Sequence, residues 1–125
     1  MAGRKKILVI DDNKIISDLF VMDFGEDFDV ESAGNGPEGL EAAAKTHPDL
    51  ILLDVNMPGM SGVEVARELD RRDETRNIPV LIITASAFND ATKNELQSCG
   101  NFKGFLSKLS PASEIKELVR KLLGC

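Results

Sequence analysis

Cysteine is scarce in this 125-residue chain: there are two, Cys99 and Cys125, one of them terminal, and that excludes a disulfide framework. Long apolar runs are missing as well. Nothing approaches the roughly 20 residues of a membrane span, so no membrane association is expected. The start MAGRKKILVIDD offers four consecutive apolar residues before two acids, too few for a signal-peptide core. Basic residues are outnumbered, 15 against 21 acidic, and the net charge of -6 repels phosphate backbones, which argues against direct nucleic-acid binding. Repeats, low-complexity tracts and linkers are absent. Histidine is reduced to His47, which has no second catalytic group beside it in THPD. What remains is 42% hydrophobic and 29% charged, the balance of a globular protein, and its length suits a single domain over residues 1–125. A reducing cytoplasm is the expected location.

The apolar residues are arranged in short bursts. Ile7 to Ile10, Leu50 to Leu53 and Val80 to Ile83 are unbroken aliphatic runs of strand length, the pattern of strands covered on both faces. Phe28 to Ala33 and Phe102 to Ser107 mix polar with apolar residues and suit edge strands. Helical signals lie between them. After Asn13 a helix would turn Ile15, Ile16, Leu19 and Phe20 inward; Pro37 opens another containing Leu40, Ala43 and Ala44. Ser61 and Glu64 have capping-box spacing ahead of a segment reaching Arg72, and a weaker helix after Asn89 carries Leu96 and Cys99. Ile115, Leu118, Val119, Leu122 and Leu123 form the apolar stripe of a last helix, with Ser110 as its expected N-cap and Pro111 as its first residue.

Five strand-helix units predict an α/β fold: a five-stranded parallel sheet with right-handed crossovers and helices on both faces. The flavodoxin-like order 2-1-3-4-5 places the two weak strands at the edges, and its ligand crevice lies beyond the carboxyl ends of strands 1 and 3. The polar residues at strand ends gather there. Asp11 and Asp12 follow the first strand, Asp54 the third, Thr84 the fourth and Lys108 the fifth.

An aspartate closing the buried run ILLD is costly without a partner, and three carboxylates in one crevice repel one another unless a cation neutralises them. Oxygen-only ligands favour a hard divalent ion, and Mg2+ takes one or two carboxylates while keeping water and phosphate oxygens. One carboxylate can then attack a phosphoryl group while Lys108 balances the growing negative charge and the Thr84 hydroxyl donates a hydrogen bond to a phosphoryl oxygen.

Together, the acidic pair in ILVIDDN, the segment DLILLDVNMPGMSG, the run VLIITAS and the lysine of FLSK resemble the receiver domain of two-component response regulators over essentially the whole chain. The resemblance implies that Asp54 is the phosphoacceptor, supplied by a sensor histidine kinase, a histidine phosphotransfer protein or a small phosphodonor. It implies that Asp12 is a direct ligand of Mg2+, that Asp11 binds through water, and that Asn56 lends its backbone carbonyl. Thr84 and Phe105 match a hydroxyl and aromatic pair that switch together on phosphorylation, and Lys108 the lysine that contacts the phosphoryl group. The fourth helix, fifth strand and fifth helix would then change shape toward a downstream target protein, with the chain as a monomer or a phosphorylation-linked dimer. Water would reset the switch, and small Ala85 would leave the acceptor open.

Two departures stand near the fifth strand. The family's proline after the lysine is here Leu109, with Pro111 two positions on, so a trans Lys108–Leu109 peptide is expected and the lysine's aim is less fixed. The stretch GNFKGFLSK is about one residue longer than usual, which predicts a bulge at the strand's entry. Two other function classes share part of the pattern. A receiver fold could bind partners without phosphorylation, and aspartate-nucleophile phosphatases also place an acid after a parallel strand. The latter commonly need a second acid two residues on, where this chain has Asn56, so an enzyme is not expected.

Overall fold

The protein's structure is a computed structural model that describes residues 5–55, 57–84, 90–108 and 110–124. Strands and helices alternate: β1 (Lys6–Ile10), α1 (Lys14–Phe24), β2 (Asp29–Ala33), α2 (Gly36–Thr46), β3 (Leu50–Asp54), α3 (Gly62–Arg71), β4 (Val80–Thr84), α4 (Asp90–Gln97), β5 (Phe102–Ser107) and α5 (Ala112–Leu123). The strands form one parallel sheet in the order β2-β1-β3-β4-β5, as the sequence predicts.

Alternate residues of each strand enter opposite layers. Leu8, Ile10, Ile51, Leu53, Val80 and Ile82 pack with Leu40 of α2, Leu69 of α3 and Leu96 of α4. Ile7, Val9, Leu50, Leu52, Leu81 and Ile83 pack on the other side with Phe20 and Phe24 of α1 and Ile115 and Val119 of α5. Covered on both faces, β3 and β4 are buried along their whole length, which is why their sequences contain no alternating polar residue. The edge strands β2 and β5 are only partly buried, and β5 alternates.

Helix α1 buries Phe20 as expected, and Ile16 packs partly against the same layer, but the rest of the expected face turns outward. Ser17, Phe20 and Phe24 are its buried residues, whereas Ile15 is 72% and Leu19 50% exposed. The segment KIISDLFVMDF carries two stripes at helical spacing, and the aromatic one wins. Phe20 meets Phe24 edge-on at 5.7 Å between ring centroids, and Phe24 meets Phe28 at 6.1 Å, so burying this row seats three rings at once. Ile15, Leu19 and Met22 are left on the solvent side.

Helix starts follow local hydrogen bonding. The Asn13 side chain accepts from the Ile15 and Ile16 amides, Asn35 from Glu38, and Ser61 from Glu64. At α5 the expected cap shifts by one residue: Pro111, not Ser110, is the N-cap and Ala112 begins the helix, because Pro111 has an extended ψ of 144°. The predicted irregularity of β5 is present. Val80 pairs with Phe102 but Leu81 pairs with Gly104, so Lys103 is the extra residue of a β-bulge. Gly104 takes a φ of 149°, a conformation that side-chain-bearing residues rarely adopt.

Candidate functional site

Four strands deliver polar groups to one rim. Asp11 directly follows β1, Asp54 ends β3, Thr84 ends β4 and Lys108 directly follows β5. The Asp11 amide donates to the Ala33 carbonyl at 3.1 Å, tying the turn to the end of β2, and its Oδ1 accepts from the Asn13 amide at 2.9 Å. Its Oδ2 lies 2.7 Å from Lys108 Nζ. The same ammonium is 3.4 Å from Asp54 Oδ2, and the Lys108 amide donates to the Thr84 carbonyl at 2.8 Å. Lys108 therefore joins three strand ends.

Asp11 and Asp54 are only 3% and 4% exposed, while Asp12 stands in solvent at the mouth. One carboxylate oxygen from each of the three lies within 4.8 Å of the others. Burial alone would lower the Lys108 pKa, but the hydrogen bond and charge of Asp11, followed by the charge of Asp54, outweigh it and hold the ammonium above its ordinary 10.5. Among the described residues, the Lys108 ammonium pairs with two of the three acids, Asp11 and Asp54. The set keeps a surplus of negative charge made wholly of hard oxygen donors, which fits a divalent cation such as Mg2+. A cleft of about 220 Å³ opens beside the acids, lined by Asp11, Asp12, Lys14, Ser17 and Ser32 among others.

Thr84 is 5% exposed at the end of β4, in register with Ser107. Phe105 is 43% exposed, with Lys93 Nζ of α4 5.3 Å from its ring centroid. The bulge explains the placement: with Lys103 as the extra residue, Phe105 falls on the face of its register partner Ile82, at the open edge of the sheet. Asn56, Ala85 and Leu109, and with Leu109 the Lys108–Leu109 peptide, lie outside the described residues.

One residue that the sequence reading gave no role positions the acid of β3. The Gly62 amide donates to the Val55 carbonyl at 3.0 Å, and a Cβ on Gly62 would meet the Asp54 carbonyl oxygen and lie 2.7 Å from Val55 Cα. Helix α3 can start this close to the end of β3 only with hydrogen at that position. The signal available in the sequence was a glycine directly after the Ser61 cap, where a helix former would otherwise serve.

Comparison with known proteins agrees with this fold. The response regulator receiver domain profile matches residues 7–120. The polar-differentiation response regulator DivK of Brucella anthropi is 34% identical over 122 residues, covering 96% of this chain and 97% of its own. Among solved structures, the chemotaxis protein CheY4 of Vibrio cholerae superposes with a TM-score of 0.88 at 26% identity, over 96% of this chain and 99% of that one. The receiver domain of a Pseudomonas aeruginosa sensor histidine kinase, solved with a magnesium ion coordinated in its active site cleft, shares the fold at a TM-score of 0.86 and 22% identity, over 98% of this chain and 100% of that one. With sheet order and sequence in agreement from β1 to α5, the chain belongs to the response regulator receiver domains.

Proposed function

We propose that this receiver accepts a phosphoryl group on Asp54, in a Mg2+-dependent reaction, from the phosphohistidine of a sensor histidine kinase or a histidine phosphotransfer protein. The observation that carries the reading is the approach of Asp11, Asp12 and Asp54 oxygens to within 4.8 Å, beside the Lys108 ammonium. Asp11 suits a fixed ligand, because one of its oxygens accepts from the Asn13 amide and the other holds Lys108. Asp12 stands in solvent, and Asp54 is the acid set at the head of the central strand. Asp11, Asp12 and Asp54 would hold the ion. When bound, Mg2+ supplies positive charge that offsets the crowding of carboxylates and phosphoryl oxygens.

In the transfer, an Asp54 carboxylate oxygen forms a bond to phosphorus as the phosphorus–nitrogen bond to the donor imidazole breaks, and the nitrogen keeps the electron pair. Lys108 balances the oxygens that arrive, and the Thr84 hydroxyl donates to one of them. The product carries about two negative charges and three acceptor oxygens where a carboxylate stood. Drawing Thr84 toward them favours an inward Phe105 and reshapes the surface of α4, β5 and α5 for a target protein, a shift between two populated states. Water attack on the acyl phosphate releases inorganic phosphate and restores the carboxylate.

Intact-mass spectrometry after incubation with acetyl phosphate and Mg2+ tests this reading. One acid-labile phosphate is expected on the wild type, with none on Asp54→Asn and none in the presence of a chelator. Labelling that persists in Asp54→Asn would move the acceptor elsewhere. A wild type that takes no phosphate would favour a binding module that works without phosphorylation, and sustained turnover of added phosphomonoesters would favour a phosphatase.

A further inference from the structure

We propose that Lys93 is a positioning residue for Phe105: its ammonium, set over the ring, holds the aromatic side chain in its outward position. The inference rests on the proposed phosphorylation switch, in which Phe105 is the moving part. A phenylalanine has no polar atom to satisfy in water, so leaving it 43% exposed forgoes apolar burial that its fully buried register partner Ile82 has on the same face. The Lys93 ammonium 5.3 Å from the ring centroid lies within the range where a cation is attracted to an aromatic face.

Both partners are held by firm neighbours. Lys93 sits on α4 just before Glu95, which pairs with Arg67 of α3 at 2.8 Å, and Leu96 is fully buried beneath the same helix. Phe105 directly follows Gly104, whose φ of 149° marks the bulged part of β5. A lysine on an anchored helix thus faces a ring on the less regular strand. The attraction at a partly exposed site corresponds to about a two- to fivefold bias between the two positions of the ring. That is enough to keep the unphosphorylated protein mostly in one state and too little to resist an acyl phosphate.

The test is NMR of the full chain carrying 13C-labelled phenylalanine, comparing wild type, Lys93→Gln and Lys93→Arg without phosphodonor. Lys93→Gln removes the charge and keeps most of the stem, and it is expected to lower the outward-to-inward ratio of Phe105 by about two- to fivefold, read from ring shifts and side-chain couplings. Lys93→Arg restores a cation and is expected to restore the ratio. Phe105 signals unchanged in Lys93→Gln, or Lys93→Arg behaving like Lys93→Gln, would overturn the assignment. A labelling experiment with acetyl phosphate separates the two readings: Lys93→Gln is expected to change the Asp54 labelling rate in the wild-type background and to have no effect in Phe105→Leu. A wild type that takes no label would instead remove the switch while leaving the ring equilibrium readable.

Discussion

Replacing Gly62 with alanine puts one carbon where the structure has none to spare. The new Cβ would lie 2.7 Å from Val55 Cα and closer still to the Asp54 carbonyl oxygen, and both are backbone atoms that cannot rotate away. Alanine favours a helix over glycine by up to about 1 kcal/mol, and that gain is smallest at a first helical residue. Overpacking against a fixed neighbour costs about 1–3 kcal/mol, and the upper part of that range applies where no side chain can yield. The balance is a net loss of about 1–2 kcal/mol, a drop of about 0.5–1 M in the urea midpoint. The chain has no tryptophan and no tyrosine, so far-ultraviolet circular dichroism is the suitable probe.

The same substitution also reaches the chemistry. Relief of the clash requires either α3 to back away or the end of β3 to move, and the second displaces the Asp54 carboxylate from Asp11 and Lys108. Labelling by acetyl phosphate should then slow, by as much as about 100-fold for a shift of about 1 Å. A Gly62→Ala protein with the wild-type midpoint and labelling rate would refute the claim that contact between α3 and β3 sets the acid's position.

Phe24→Ala should cost about 3–5 kcal/mol while Met22→Ser, on the outer face of α1, stays within about 0.5 kcal/mol, and urea melts that rank them the other way would reverse the assignment of the helix's faces. Burial and then the charge of Asp70 push the Cys99 thiol up, so little thiolate forms near neutrality; iodoacetamide should modify Cys99 in the native chain far more slowly than in urea, as read by peptide mass spectrometry. The Lys108 pKa is raised in the fold, so its ion pairs should contribute fully below the ordinary 10.5 and be lost as pH rises through the folded value. The stability gap between wild type and Lys108→Met should therefore hold steady from pH 7 to about 9 and shrink only above the ordinary lysine range, whereas a gap that closes near neutrality would contradict the pairing.

How much of this was readable in the sequence depends on whether a segment allowed one pattern or two. LILLD and VLIIT permit only a strand buried on both faces, and the acids at their ends follow from the sheet order without further information. KIISDLFVMDF was open to two readings, because Ile15–Leu19–Met22 and Ser17–Phe20–Phe24 both recur at helical spacing, and the choice was made by Phe28, which lies beyond the helix and adds a third ring to one of them. Pro111 lay one residue from its predicted place since its fixed φ suits a cap and a first turn equally, and only ψ tells them apart.

The bulge in β5 shows the limit most clearly. Its existence was legible as one residue too many between α4 and the lysine, yet its consequence was not. An inserted residue reverses the face assigned to one side of the strand, so simple alternation cannot say whether Phe105 or its neighbours face α4 until the inserted position is known. Lys103 turns out to be the extra residue, which leaves Phe102 and Phe105 on one face although three positions separate them. That places Phe105 beside Lys93 and Lys108 beside Asp11, with the same irregularity setting both. Deleting Lys103 should therefore keep the two contacts together: Phe102 with Val80, Gly104 with Leu81 and Phe105 with Ile82 become consecutive pairs of a regular strand, and loss of either the Lys93–Phe105 or the Lys108–Asp11 contact in NMR of that variant would contradict Lys103 as the extra residue.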